Sequence, residues 1–421
     1  MKCYKSNVTS AVRVGISTFL AASLLVAADD QIVALQRKAK AAFDNATLSA
    51  QPQLGETSDC VQTQAQLLPV ASSYDSPVIS YRKGYCALMA AALSQNPAGF
   101  KDAAGAFDQA ITNWPGRVRA TKGRSPEPAP SVLMALSAIA RLQAGAETGA
   151  ADDLSVGVGR NTCSAELMTA AGCQAVFRTG REWLGWMALR QDDLPQARRD
   201  LADQPDSFWK HWVEGKQAFA EARYRDAAIA YGASVELWRN SQERWRGNWI
   251  LRLGPQPQMG LALTDLGGAR LLAGEPAAAI ASLDTAIKVD AQNARAYYFR
   301  ARAKELAGQA DAATADYNLA SRTAYASAEN LVSGEGHLYR GIFLFRRKEY
   351  SRAEDEFAGA LNADIAPALR ADAVAWRHMA AVAGGACDTS RRLLAESLGS
   401  VSPYFPRADA LALAASCSDT F

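Results

Sequence analysis

Histidine is scarce in this sequence, and the motifs of common enzyme classes are missing. The three histidines, His211, His337 and His378, lie far apart, and none belongs to an H-E-x-x-H zinc motif. The sequence has no phosphate-binding G-x-x-x-x-G-K-[ST] loop and no G-x-S-x-G nucleophile motif. Because an active site needs several titratable groups that converge, the sequence predicts no catalytic residue, no metal site and no cofactor.

Long apolar runs are also lacking, apart from a short one near the start of the chain. Residues 14–28 are largely apolar, follow the basic residues Lys2, Lys5 and Arg13, and end in small side chains. This order is typical of a signal peptide and predicts cleavage after Ala28. An uncleaved anchor is the alternative, but a spanning helix needs about 20 apolar residues and this run is shorter. We therefore expect a periplasmic or secreted protein with no membrane span after cleavage.

An excess of charge of one sign is absent. The chain has 45 basic and 43 acidic residues, and without the three basic residues of the signal the balance is 42 to 43. Such a balance gives no bulk field that would attract nucleic acid or an anionic membrane. Alanine dominates the apolar residues whereas Val, Ile and Thr are sparse, which favours helices over strands.

Cysteine is present in a number that fits export. Cys3 would leave with the signal, and six cysteines remain, an even set that in an exported chain indicates three disulfides. Reduced, buried thiols are the alternative. No two cysteines have the C-x-x-C spacing of a zinc or redox site. The predicted disulfides join sequence neighbours: Cys60 with Cys86, Cys163 with Cys173, and Cys387 with Cys417.

Small and aromatic residues recur at fixed spacing in the second half of the chain. The set Gly267, Ala279, Leu283 and Ala286 is matched 34 residues later by Ala301, Ala313, Tyr317 and Ala320, and 40 residues after that by Gly341, Ala353, Phe357 and Ala360. Weaker copies surround Gly185 and Gly215. Small residues at such positions let two helices approach closely, and the rings between them fill the gap to a neighbour.

This pattern resembles the tetratricopeptide-repeat (TPR) family, in which each repeat is a helix–turn–helix unit. The resemblance implies an all-α fold, a TPR-like α-solenoid of stacked antiparallel helix pairs, with divergent helical repeats towards the N-terminus. The expected organisation is a signal peptide over 1–28, an N-terminal helical region with degenerate repeats over 29–207, a TPR solenoid over 208–400, and a capping segment over 401–421.

The resemblance also implies a binding surface, because the first helices of TPR pairs line a concave groove. Aligned on Gly185, Gly215, Ala301 and Gly341, the groove positions hold several large rings beside cationic side chains, which suits extended peptides or stacked sugars. Packing of the same rings between repeats is the alternative. The groove candidates are Trp186, Trp209, Trp212, Lys216, Phe219, Tyr298, Arg302, Phe345 and Arg346.

An insertion between the copies at Gly215 and Gly267 carries a second aromatic and basic cluster, over residues 238–252. It is interpreted either as a lid over the groove or as a segment packed on neighbouring helices. The favoured function is a non-enzymatic scaffold of the bacterial envelope that binds an unidentified protein or peptide partner. A carbohydrate or peptidoglycan binder that uses the tryptophans is the alternative, and an enzyme with its active site in residues 29–207 is a third hypothesis.

Overall fold

The computed structural model describes residues 30–47, 53–119, 129–204, 207–240, 249–327, 334–363 and 365–417. All regular structure in these ranges is helical, and they contain no β-strand, in agreement with the all-α prediction. The predicted signal peptide lies outside the described residues. By their mutual contacts, the residues up to Gln204 form one compact unit together with Asn240–Pro255, and Pro205–Arg239 forms a second with Gln256 and the residues after it.

The first unit contains eight α-helices among its described residues. They are α1 (30–47), α2 (Leu54–Leu67), α3 (Ser76–Ser94), α4 (Pro97–Arg119), α5 (Ser131–Gln143), α6 (Ala150–Arg160), α7 (Ala170–Arg190) and α8 (Leu194–Leu201). Their apolar faces meet in one core, in which Tyr81, Phe107, Leu133 and Phe177 are almost completely buried.

The insertion contributes its last turn to this first unit. Residues Trp249–Leu253 form a 3-10 helix. The Trp249 ring lies edge-on against Tyr85, with 5.2 Å between centroids. The Leu253 carbonyl accepts a hydrogen bond of 2.7 Å from the Trp183 indole N–H. This end of the insertion is therefore a packing element, as one of the two interpretations expected. Trp245, Arg244 and Arg246 lie outside the described residues.

The second unit contains eleven α-helices among its described residues. They are α9 (Phe208–Ala220), α10 (Tyr224–Arg239), α11 (Met259–Leu272), α12 (Pro276–Val289), α13 (Ala294–Leu306), α14 (Ala310–Ser327), α15 (Gly334–Arg346), α16 (Tyr350–Asn362), α17 (Pro367–Ala383), α18 (Cys387–Ser397) and α19 (Arg407–Ser416). From α9 to α18, consecutive helices pack as antiparallel pairs. In each pair the odd-numbered helix is called the first helix.

The turn inside each pair is made by a residue with positive φ. These residues are Ala222, Gly274, Gly308, Lys348 and Gly385. A left-handed backbone reverses the chain in one tight turn, which is why the two helices of a pair lie side by side. The turns recur with the spacing of the sequence repeat, so the predicted register of the helix pairs is confirmed.

Small residues in the first helices allow the close approach within a pair. A Cβ atom on Gly341 would lie only 2.5 Å from Cε1 of Phe357 on the partner helix. In three other helix pairs, a Cβ atom on the corresponding glycine would likewise collide with one large side chain of the second helix. The pairs are Gly185 with Leu201, Gly215 with Tyr231, and Gly267 with Leu283. The predicted close helix crossing at Gly341 and Ala353 is present, and Ala353 is fully buried.

Enlarging Ala353 should destabilise the second unit. Ala353→Leu adds three carbons to a filled crossing and should lower the free energy of unfolding by about 1–3 kcal/mol, measured by urea denaturation. Ala277→Leu, at an exposed position on the second helix α12, is the matched control and should have little effect. Equal stability of the two variants would contradict the register of the pair α15/α16.

All three predicted disulfides are present. Cys60–Cys86 joins α2 to α3, Cys163–Cys173 joins the loop before α7 to that helix, and Cys387–Cys417 joins the start of α18 to the residue after α19. Each closes within one unit, and the last encloses the residues that link α18 to α19.

Candidate peptide-binding face of the second unit

A short stretch of the chain lies across the first helices of the second unit. Residues 401–406, Val-Ser-Pro-Tyr-Phe-Pro, connect α18 to α19 without regular structure. We call them the C-terminal segment, and we call the surface of α9, α11, α13 and α17 that contacts them the first-helix face. The segment approaches this face with two neighbouring aromatic side chains, Tyr404 and Phe405.

Tyr404 occupies a socket formed by three first helices. Its ring stacks on Phe299 of α13 with centroids 4.1 Å apart, and on Phe219 of α9 at 5.9 Å. Gly268 of α11 forms the floor, because a Cβ atom there would lie 2.5 Å from the Tyr404 hydroxyl oxygen. The socket therefore exists only because α11 has no side chain at this point.

Phe405 lies in a second, more enclosed socket. Its side chain is 4% exposed and meets the Trp376 indole of α17 edge-on, with centroids 5.3 Å apart. Trp376 is fully buried and also contacts Phe345 and Phe357. The second socket is thus a direct extension of the hydrophobic core of the unit.

The backbone of the segment is held between the two sockets by hydrogen bonds. The Arg302 guanidinium Nε donates to the Tyr404 carbonyl oxygen at 3.2 Å. The Asp372 carboxylate accepts from the Ser402 backbone N–H at 2.7 Å and from the Ser402 hydroxyl at 2.6 Å. Two of these three contacts are to the main chain, and the third requires the hydroxyl of Ser402.

Charged groups surround the Tyr404 hydroxyl. Arg295 of α13 makes a hydrogen bond with this hydroxyl and an ion pair of 3.7 Å with Asp265 of α11. Burial raises the pKa of Tyr404 well above its ordinary value, and the neighbouring Asp265 carboxylate acts in the same direction. The Tyr404 phenol is therefore neutral at physiological pH and keeps its proton for hydrogen bonding in this socket.

Burial also affects the carboxylate that holds Ser402. The pKa of Asp372 is raised by burial, and the hydrogen bonds from Ser402 oppose that shift. Ser402 thereby supplies the polar partners that a largely buried carboxylate requires.

The predicted groove residues fall into two groups. The rings of Trp209, Trp212, Tyr298 and Phe345 are 3–9% exposed, and they pack on other aromatic rings inside the unit. Trp209 and Trp212 stack with centroids 5.3 Å apart. The Trp212 indole N–H donates to Asp265 at 3.0 Å. For these four residues the structure favours the alternative of packing between repeats.

The other candidates have more access to the first-helix face or to solvent. Phe219 contacts Tyr404, Arg302 binds its carbonyl oxygen, and Lys216 is exposed. Arg346 pairs with Glu305 at 2.6 Å, and Glu305 also pairs with Arg302. Trp186 belongs to the first unit, where it lies half-buried at 5.2 Å from Trp183 and beneath the guanidinium of Arg190.

Sequence reasoning missed Gly268, Phe299, Asp372 and Tyr404 as site residues. A signal existed in the aromatic pair of the C-terminal segment, which is flanked by Pro403 and Pro406 in a stretch predicted only to cap the solenoid. A proline-bounded pair of large rings cannot continue a helix, and it needs a surface to cover it.

The described residues contain neither a metal-binding cluster nor a membrane-spanning helix. No group of three or more His, Cys, Asp or Glu side chains in the described ranges is arranged to hold a metal ion. No helix in these ranges combines the length and the apolar character of a membrane span.

Similarity to known proteins lies in the fold. No family model matches the sequence, and no curated protein matches it. Among solved structures, a tetratricopeptide repeat protein from Parabacteroides merdae is 14% identical, with a TM-score of 0.38 over 73% of this chain and 99% of that one. Yeast Tom70 is 12% identical, with a TM-score of 0.36 and 86% of each chain covered. The APC/C hetero-tetramer Cut9–Hcn1 is 12% identical, with a TM-score of 0.23 over 82% of this chain and 84% of that one.

The fold of this chain is TPR-like. That description depends on the helix pairs of the second unit, on the small residues at their crossings and on the left-handed turns inside them. At these TM-scores, the solved structures add nothing about function.

Proposed function

We propose that this chain is an exported, non-enzymatic scaffold of the bacterial envelope that binds a protein or peptide partner through the first-helix face. One observation carries the proposal: this face already holds a short peptide turn, the C-terminal segment of the chain itself, in which the Phe405 N–H donates to the Ser402 carbonyl oxygen at 3.2 Å. The segment is bound through its main chain by Arg302 and Asp372, and through its side chains by the two aromatic sockets. These are the features by which proteins recognise peptides.

The proposed location is supported by the disulfides. Disulfides persist in oxidising compartments such as the periplasm, and the chain has three of them beside the signal-peptide pattern of its first residues.

A peptide partner is favoured over a glycan by the burial of the tryptophans. A sugar ring needs an accessible aromatic face on which to stack, but Trp209 and Trp212 are only 4% and 8% exposed and cover each other. The polar groups of the first-helix face that hold the C-terminal segment, Arg302 and Asp372, bind a polypeptide main chain.

Site-specific photo-crosslinking tests the proposal. A photoreactive amino acid at Lys216, exposed and one turn from Phe219 on α9, should cross-link a partner in native envelope extract, identified by mass spectrometry. The same group at Ile229, which is 72% exposed on the second helix α10, is the matched control and should capture no such protein.

The outcomes separate the hypotheses. Capture of the same proteins at both positions, or at neither, would contradict binding at the first-helix face. Retention on a glycan array without any protein cross-link at Lys216 would favour the carbohydrate alternative.

A further inference from the structure

We infer that the first-helix face recognises a turn that carries adjacent tyrosine and phenylalanine side chains, and that residues 401–406, which form such a turn, are a resident occupant which the partner displaces. The inference rests on the proposed function, because it specifies the chemistry of the same face.

The first socket fits a phenol. Phe299 and Phe219 offer their faces to one aromatic ring, and the missing side chain of Gly268 leaves room for the hydroxyl at the far end. Arg295 then makes a hydrogen bond with that hydroxyl. A phenylalanine in this socket would lose the hydrogen bond to Arg295, whose half-exposed side chain can bind water instead, and an aliphatic side chain would also lose both ring contacts.

The second socket takes an apolar ring at the next position. It is closed by the Trp376 ring, whereas Arg302 and Asp372 hold the backbone before it. Two neighbouring side chains can enter two sockets on one face only if the chain bends between them. Pro403 and Pro406 restrict the segment on both sides of the pair and thus limit the conformations that compete with this bend.

The resident segment is least enclosed around its tyrosine, where displacement can begin. Tyr404 is only partly buried and Pro403 is exposed, whereas Val401, Phe405 and Pro406 are buried. The chain on the far side continues into α19, a helix of ten residues that contacts only α17 and α18 substantially. The Cys387–Cys417 disulfide keeps the segment close after release. Tethering of this kind gives an effective concentration of about millimolar order, so an external segment must bind well to compete.

A labelled peptide tests the inference directly. The probe is Ser-Val-Ser-Pro-Tyr-Phe-Pro-Arg-Ala, the sequence of residues 400–408, with a fluorescent group at its N-terminus. Its affinity is measured by fluorescence anisotropy for the full chain, as wild type and as Tyr404→Ala. Because the variant empties the first socket, it should bind the probe at least about ten-fold more tightly than the wild type. Leu411→Ala, at a position on α19 that is 56% exposed and outside the segment, should behave as the wild type.

Two controls identify the sockets. A probe with alanine in place of both aromatic residues should not bind Tyr404→Ala. Adding Gly268→Leu to Tyr404→Ala should refill the first socket and remove the gain in affinity. A side chain at position 268 would fill the space beside Phe299 where the Tyr404 hydroxyl lies, so this second variant blocks the socket even if Tyr404→Ala alone alters the melting temperature.

The inference would be overturned in any of three ways. The probe could fail to bind a folded Tyr404→Ala chain, the alanine probe could bind equally well, or the wild type could bind the probe as tightly as the variant. Cross-linking of an envelope protein at Lys216 in the same preparations would show that the proposed function stands although the recognised chemistry differs.

Discussion

Replacing Trp209 with alanine should lower the free energy of unfolding of the second unit by about 3–5 kcal/mol. The indole is 4% exposed, stacks on Trp212 at 5.3 Å and meets Phe208 edge-on at 5.1 Å. Truncation removes one of the two indoles of this aromatic group and leaves a cavity, because the surrounding helices can collapse into the space only in part. Urea denaturation followed by circular dichroism measures the loss.

Lys216→Ala on the same helix is the matched control. Lys216 is exposed, so its truncation should change the stability by less than about 0.5 kcal/mol. The opposite result would be a Trp209→Ala variant that has the same urea midpoint of unfolding as the wild type but no longer captures the protein that cross-links at position 216. In that case Trp209 is a binding residue, as the sequence pattern predicts, and the interpretation as a core residue is wrong.

Removing the last disulfide should have the next largest effect. Cys387→Ser combined with Cys417→Ser opens a loop with a sequence separation of 30 and should lower the free energy of unfolding by about 3–4 kcal/mol through the gain in entropy of the unfolded chain. Chemical denaturation without reductant measures the change. Since this loop contains the C-terminal segment, the same variant should also bind the labelled peptide of residues 400–408 more tightly.

The double variant of Cys163 and Cys173 provides the comparison. Its loop has a sequence separation of only 10, so the loss should be smaller, about 2–3 kcal/mol, and peptide binding should not change. Equal losses for the two disulfides, or tighter peptide binding after removal of the short one, would contradict the assignment of a tether to Cys387–Cys417.

The helix pairs could be predicted from the sequence because their determinants are local. Gly341 must be small since Phe357 on the neighbouring helix occupies the space where its Cβ atom would be, and both lie within one repeat. The same relation recurs in other pairs, so a pattern of small and large residues read along the chain is sufficient. The disulfides were predictable for a similar reason, since each joins cysteines that are neighbours in the sequence.

The candidate site was less predictable because it depends on distant parts of the chain. Arg302 and Tyr404 are separated by 102 positions, and no periodicity relates them. The register of the repeats identified the first helices, but it did not determine which of their rings would be covered. Tyr298 is a groove position by alignment, yet it stacks on Tyr339 of the next first helix at 5.0 Å and is 3% exposed.

The order of the disulfides has a consequence for biosynthesis. Each cysteine pairs with the next one along the chain, Cys60 with Cys86, Cys163 with Cys173 and Cys387 with Cys417. In a chain that is exported, as proposed above, domains emerge and fold from the N-terminus, so the correct partner is the first cysteine to arrive after its mate. An oxidant that acts as cysteines emerge would produce the native pairs directly, and no rearrangement by thiol–disulfide exchange would be needed. The chain should therefore mature in cells that have a thiol oxidase but lack a disulfide isomerase.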